Sequence, residues 1–591
     1  MSPFFMRSRI TRFHAQAGAS FLAMSVLGTL SMIAGCSDEG SSKPSVDASK
    51  AEPDSKPFAF TDVTSSSGIA LQTVSGDTPS TQILEVKGGG LALIDFDLDG
   101  DRDLFVPNGA TLSDPESGPG ARLFRNDGDL RFTDVTDLAG ITHARWSFGT
   151  AVGDIDADGF DDIFIACYGP DVMLRNLGDG TFEEVSPGNG VGDAGWSTSA
   201  AFGDVDLDGD LDLFVTRYVD FDVTKPVPPA RFKGLDVVNG PRGLPSLSDL
   251  FYENDGDGNF RLHRSGEPLG DLVPSFGLNV AILDMNDDGL IDVLVGNDSE
   301  ANDLYLNQST PEGGLAFKES GLISGLAHDL NGYNQATMGM AVGDVDGDGS
   351  PDIFTSNFSS DSNTMHVSSG SGFFDDRTRQ FGLALVSRPF LGWASGFFDL
   401  DHDGDEDLLI VNGHVYPQAT RATMDSDYEQ AILLMERDGE RFRRIEPEGA
   451  IAEAHRDRSA VFDDLDGDGD IDLIVSELNG PVRLLRNDLD RSGWLQVRLE
   501  DGRPGVGNRH GVGAVVRLKS GDWSAIRWVS GGGPFQSNWS PVLHFGLPEG
   551  FERGTLTVRW PDAVVERLEV GPDRLVTVVR GSISRGVTES D

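Results

Sequence analysis

Residues 204–215 read DVDLDGDLDLFV, and the chain writes this stretch, with variations, seven times. Counting Asp204 as position one, carboxylates fall at positions one, three, five and nine (Asp204, Asp206, Asp208, Asp212). Gly209 stands at position six and an apolar, β-type run follows. Oxygen donors on alternate residues, a glycine that turns the chain and a late carboxylate that closes the ring make a cage for a hard cation. Its size and ligand number suit Ca²⁺ better than Mg²⁺, which keeps its waters and takes few protein ligands.

The other copies are DFDLDGDRD (Asp95, Asp97, Asp99, Asp103), DIDADGFDD (Asp154, Asp156, Asp158, Asp162) and DMNDDGLID (Asp284, Asn286, Asp288, Asp292). The last three are DVDGDGSPD (Asp344, Asp346, Asp348, Asp352), DLDHDGDED (Asp399, Asp401, Asp403, Asp407) and DLDGDGDID (Asp464, Asp466, Asp468, Asp472). Asn286 alone departs from Asp, and it still offers a carbonyl oxygen. An EF-hand is excluded, because it requires a bidentate Glu at position twelve and flanking helices. Here position twelve is Val106, Ile165, Val215, Val295, Thr355, Ile410 or Val475. The loop opens straight into a strand, so the unit is a metal-binding β-hairpin, and about seven structural Ca²⁺ are expected.

First aspartates recur 59, 50, 80, 60, 55 and 65 residues apart. Each repeat reads as four strands: one before the cage (GGLALI), one after it (DLFV), one ending in an Asn-containing turn (RLFRNDGD) and one of the type FTDVT. Seven such units across 58–488 specify a seven-bladed β-propeller. FAFTDVT (58–64) is a fourth-strand sequence without a blade, and the seventh repeat stops at VRLLRND (482–488). The two segments are therefore expected to pair and close the ring, which removes two open sheet edges. Residues 489–582 lack the cage and alternate apolar with polar residues (WLQVRLE, AVVRLK, TLTVRW), which predicts a small antiparallel β-domain.

The 591-residue chain is 38% apolar and carries 74 glycines and a net charge of −50. Such acidity argues against nucleic acid or an anionic membrane surface as partner. Residues 1–36 have the form of an export signal, with Arg7, Arg9 and Arg12 before an apolar centre, and end in a lipobox, Ile33-Ala34-Gly35-Cys36. Cys36 is the expected lipidation site and would anchor the protein in the bacterial envelope. Polar residues 37–57 read as a flexible tether and 583–591 as a disordered tail. The second cysteine, Cys167, lies in an apolar strand and reads as an inert buried thiol.

The repeats resemble the FG-GAP/VCBS repeats of integrin-type propellers. GNRHGVGAVVRL (507–518), LHFGL (543–547) and VRWPDA (558–563) resemble the ASPIC/UnbV domain. The pairing resembles the cartilage-acidic-protein-like family, as does NGHVYP (412–417), and implies an exported protein. The chain departs from that pattern at Asn239, which precedes Gly240-Pro241-Arg242-Gly243 where relatives often carry cysteine, and at Trp560-Pro561-Asp562-Ala563 in place of Trp-Pro-Ser-Gly.

Cages join strands one and two, so they share one face of the ring. The long inserts, 107–121, 217–249 and 412–430, open on the other. The candidate ligand surface is that second face, centred on Arg231, Arg242, His414 and Tyr416, with protein or glycan as the expected ligand. No GxSxG, HExxH, P-loop or CxxC motif occurs. The first reading is a non-enzymatic, membrane-anchored binding or adhesion protein; the alternative is a polysaccharide lyase or glycoside hydrolase on a propeller scaffold. An aromatic-lined pocket with a free, unmetallated carboxylate pair on the second face would favour the alternative.

Overall fold

A computed structural model describes residues 58–270, 272–310, 314–489 and 493–581. The export signal, Cys36, the tether and the tail lie outside these residues. Each acidic hairpin joins the first two strands of a four-stranded antiparallel unit. In the first unit the strands are Ala92–Ile94, Asp103–Val106, Arg122–Asn126 and Phe132–Asp134. The second strand begins at the ninth cage residue, so the last carboxylate is fixed by the sheet itself. Its β-branched and aromatic residues are buried because both faces of the unit are covered by neighbours.

Consecutive units share apolar layers. Ile94, Phe105 and Leu123 pack on Ile163, Ile165 and Leu174 of the second unit, and Phe164 and Met173 continue onto Phe202, Leu213 and Tyr252 of the third. The pattern runs through to Leu409 and Leu434 against Phe462 and Leu473. Leu93, Leu104 and Phe124 then pack on Val461, Ile474 and Leu484, which returns the last unit to the first. Full burial of each such side chain is worth about 1.5–3 kcal/mol, so these layers dominate the ring's stability. The ring is β-propeller-like.

The closure follows the sequence. Ala59–Asp62 supplies the fourth strand of the last unit, with Phe60 opposite Asn487, Thr61 opposite Arg486 and Asp62 opposite Leu485. One departure is that the second strand of unit two extends to Pro170 and pairs with the first strand of unit three, Trp196 opposite Tyr168, so these two units share one sheet.

The C-terminal domain has two sheets around Leu495, Val497, Val516, Phe545, Leu556 and Trp560. It is not wholly antiparallel as expected: Trp494–Glu500 runs parallel to Arg574–Val579. The intervening second sheet provides the long crossover that a parallel pair requires. The Trp-Pro-Asp-Ala turn closes with Ala563 at φ 63°, and Trp560 accepts from the Ala563 amide at 2.9 Å. Ring and C-terminal domain belong to one compact unit.

Candidate functional site

The seven hairpins share one backbone design. The position-six glycines lie at φ 88–103° (Gly100, Gly159, Gly209, Gly289, Gly349, Gly404, Gly469). Each donates its amide to the first aspartate at 2.8–3.4 Å. Position four is also left-handed, as in Leu98 (58°), Ala157 (55°), Leu207 (62°) and His402 (54°). The ninth aspartate is a staple. One oxygen accepts from the position-two amide at 2.8–3.3 Å. The other accepts from an amide at the end of the third strand at 2.7–3.0 Å.

The third-strand asparagines have a further job that their reading as turn residues missed. The Asn176, Asn254 and Asn307 side chains donate to the position-two carbonyls of the preceding units (Phe96, Ile155, Val205) at 2.7–2.8 Å. Asn126 reaches Leu465 of the last unit at 3.2 Å. The signal was present as the recurring Asn of RND, NLGD and END.

Carboxylate oxygens converge to within 4.8 Å of one another in the groups Asp95–Asp97–Asp99, Asp154–Asp156–Asp162, Asp204–Asp206–Asp208, Asp344–Asp346–Asp348 and Asp399–Asp401–Asp403. At that separation two like charges repel by roughly 1 kcal/mol in water and three to four times more near a protein surface. Burial, with neighbouring carboxylates, pushes Asp154, Asp204 and Asp464 up to about 7, Asp103 and Asp352 to about 8, and Asp162 to about 9. Buried oxygens of Asp156, Asp204, Asp344 and Asp466 have no hydrogen-bond partner among the described residues. Hard, anionic, unpartnered oxygens on a short loop fit a divalent cation such as Ca²⁺.

The C-terminal domain covers this face. The Gly209 carbonyl accepts from the Gly507 and Asn508 amides at 2.9 and 3.0 Å. Gly100, Gly404 and Gly469 carbonyls accept from Arg498 (3.1 Å), Trp523 (2.9 Å) and His544 (2.9 Å). His510 meets Asp161 at 2.9 Å, Arg527 meets Glu406 at 3.2 Å, and Arg559 meets Asp284 at 3.5 Å and Asp287 at 2.8 Å. Over the fifth hairpin, a Cβ on Gly349 would meet the Arg517 guanidinium at 2.5 Å.

The opposite face holds a cavity of about 380 Å³ whose lining includes Arg242, Tyr416, Phe232, Phe358, Trp393 and Asp361. Its walls come from the ends of strands far from the cages, including Asp298, near the end of the second strand of unit four (Asp292–Glu300), and Lys87, ahead of the first unit. Lys87 Nζ lies 3.1 Å from Asp298 and 4.5 Å from the centre of the Tyr218 ring, whose hydroxyl donates to Asp298. Burial holds the Lys87 ammonium below its usual range. Of the four residues predicted at this surface, Arg242 and Tyr416 line the cavity and two do not. Arg231 is exposed and paired with Asp236 at 2.9 Å across a small hairpin. His414 is fully buried, its Nδ1 accepting from the Tyr416 amide at 3.0 Å and its Nε2 lying 3.0 Å from the Ser359 hydroxyl; burial pushes it down to about 3. It shapes the loop that presents Tyr416. Cys167 is buried, and burial pushes its thiol far up.

Fold and hairpins together define a β-propeller-like ring of FG-GAP type with an appended β-domain. The profile described as FG-GAP-like repeat matches residues 95–165, 154–215, 284–355 and 344–410, and that described as ASPIC and UnbV matches 505–585. Cartilage acidic protein 1 of Homo sapiens is 25% identical over 359 residues, covering 58% of this chain and 43% of that protein. Its Mus musculus counterpart is 24% identical over the same length, covering 58% and 44%. The chain thus matches less than half the length of these relatives. A solved Agrocybe aegerita lectin, described as recognising non-reducing terminal N-acetylglucosamine, aligns over 68% of this chain and 91% of its own at 16% identity and a TM-score of 0.34. In its FG-GAP-like repeats and its ASPIC/UnbV domain the chain is similar to the cartilage-acidic-protein-like proteins.

Proposed function

We propose that this is a calcium-stabilised, lipid-anchored extracytoplasmic binding or adhesion protein that takes a glycan in the cavity opposite the cages. The observation that carries the reading is that the C-terminal domain occupies the cage face, while the other face keeps an open cavity containing Arg242 and Tyr416. Aromatic rings (Phe232, Phe358, Tyr416) beside planar amides (Asn239, Asn334, Gln335) supply apolar faces and oriented hydrogen-bonding groups, the mixture a sugar ring requires.

Binding is favoured over turnover by the state of the carboxylates. The lining holds Asp298 and Asp361, and Asp298 is already committed to Lys87 and the Tyr218 hydroxyl. That leaves no free carboxylate pair for glycoside cleavage. A glycan array probed with the mature protein should retain it on a defined class of sugars, and Tyr416→Ala with Arg242→Ala should weaken retention at least about tenfold, the equivalent of one lost stacking or charged contact. Equal retention of the double variant, or exclusive binding to a protein partner, would refute the glycan reading. Release of reducing ends from polysaccharide would favour the enzyme. The anchor is tested separately: Cys36→Ser should move the protein from the membrane pellet to the supernatant.

A further inference from the structure

The C-terminal domain does more than lie on the ring. Its segment 530–538 enters the ring's centre and touches the innermost strands all the way round. Gly531 and Gly532 pair with Ile282 and Ala281 of unit four. The Gly533 amide donates to Val280 at 3.0 Å, and its carbonyl accepts from Met340 of unit five (3.0 Å) and the Asn279 side chain (2.7 Å). Ser459 of unit seven donates to the Phe535 carbonyl at 2.8 Å, and the Thr150 amide of unit two to Gln536 at 3.2 Å. In unit one, Leu91 donates to the Ser537 hydroxyl at 3.0 Å, and Leu93 to the Asn538 carbonyl at 2.9 Å. A Cβ on Gly531 would strike the Phe202 carbonyl of unit three at 2.1 Å, so glycine is what allows this entry. The ring of Phe535, fully buried, is centred 4.8 Å from that of Trp393, a residue of the opposite cavity's wall.

We propose that the C-terminal domain is a built-in cap and plug that retains the hairpin cations, so that docking of the domain and loading of the ions are one coupled equilibrium. This rests on the reading of the hairpins as cation sites. Four of the cap's contacts are to position-six carbonyls, and those same glycines donate their amides to the first aspartates of their hairpins. A cation that draws the carboxylates together holds that geometry. Without it their repulsion opens the hairpin and withdraws the acceptor from the cap. Coupling of this kind is reciprocal, so the docked cap must raise the affinity for the ions, and a gain of affinity at one site shows mostly as slower departure.

The test uses the full mature chain and Ca²⁺ alone. Mixing the loaded protein rapidly with a fluorescent chelator should show slow release, and Phe535→Ala and the milder Trp523→Phe should each accelerate it by about tenfold, the equivalent of one or two lost hydrogen bonds or their packing counterpart. In the unaltered protein, chelation should loosen the C-terminal domain from the ring, so that limited proteolysis frees a C-terminal fragment that calcium protects. This second measurement does not depend on any variant folding. Release rates unchanged in both variants, or a cleavage pattern indifferent to chelation in a protein that binds Ca²⁺, would overturn the cap alone. A protein that binds no Ca²⁺ overturns the cation reading as well.

Discussion

Withdrawing divalent cations from the loaded protein should lower its melting temperature by about 11 °C. The magnitude follows from the hairpins. With extracellular-type sites near 10⁻⁴ M and about 1 mM Ca²⁺, each site contributes roughly 1.4 kcal/mol. Seven equivalent sites give about 10 kcal/mol, as much as the whole net stability of a typical domain. Unfolding entropy of about 2.1 cal/mol/K per residue over some 430 ring residues is near 0.9 kcal/mol/K, and the quotient is the expected shift. Scanning calorimetry with EGTA against excess Ca²⁺, at matched ionic strength, reads it directly. A Mg²⁺ arm separates site binding from general screening, since these loops do not offer the octahedral, water-rich site Mg²⁺ prefers. A shift under about 2 °C would mean that the staples and asparagine bridges hold the hairpins unaided, and the cage reasoning would be wrong.

Other perturbations test neighbouring parts of the argument. In the metal-free protein, Asp154 and Asp204 sit at about 7, Asp103 and Asp352 at about 8 and Asp162 at about 9, against an ordinary value of 3.8, because burial penalises their charge. Folded values above unfolded ones contribute stability that is complete below pH ~4 and lost as pH climbs through 7–9, so EGTA-treated protein should melt lower at pH 8 than at pH 5. Calcium-loaded protein should show no such fall, because the cation replaces the protons; a chelated protein that gains stability with rising pH would refute the assignment. Asp206→Ala should remove one ion per chain by elemental analysis, and an unchanged count would exclude Asp206 as a ligand. Lys87→Ala leaves the Asp298 carboxylate and the Tyr218 hydroxyl buried without their cation; the expected cost is about 3–5 kcal/mol in chemical denaturation, and a cost under about 1 kcal/mol would show that water reaches the site.

Much of the ring was legible because its signals are local. Position-six glycine, alternating carboxylates and the following apolar run fix hairpin and strand together, and the orphan FTDVT announced the pairing of Phe60 with Asn487. The left-handed position four was not legible in Leu98 or His402, because side chains seldom adopt that conformation, although Gly347 and Gly467 show it openly. His414 misled for a different reason. A polar residue in a long insert looks exposed, yet its two nitrogens are occupied by Tyr416 and Ser359 and its ring is buried. The cap was hard to read, because several of its acceptors are backbone carbonyls, which leave no trace in a sequence, and donors such as Arg498 and Trp523 sit in strands that read as ordinary alternation.

The cap also makes the hairpins unequal, which the repeat alone does not suggest. In the fourth, Asn286 removes one negative charge and spends its amide on Asp288 at 3.0 Å, while Arg559 stands 3.5 Å from Asp284 and 2.8 Å from Asp287. A guanidinium offers one charge where Ca²⁺ offers two, and it comes tethered to the cap at no translational cost, so at this hairpin the docked cap competes with the ion and offsets the retention it gives elsewhere. The third hairpin receives the Gly507 and Asn508 amides on its Gly209 carbonyl and keeps all four carboxylates. The ten-kilocalorie figure is therefore a ceiling reached only if every hairpin loads equally, and stabilisation should accumulate in unequal steps as calcium is added, with the fourth hairpin last.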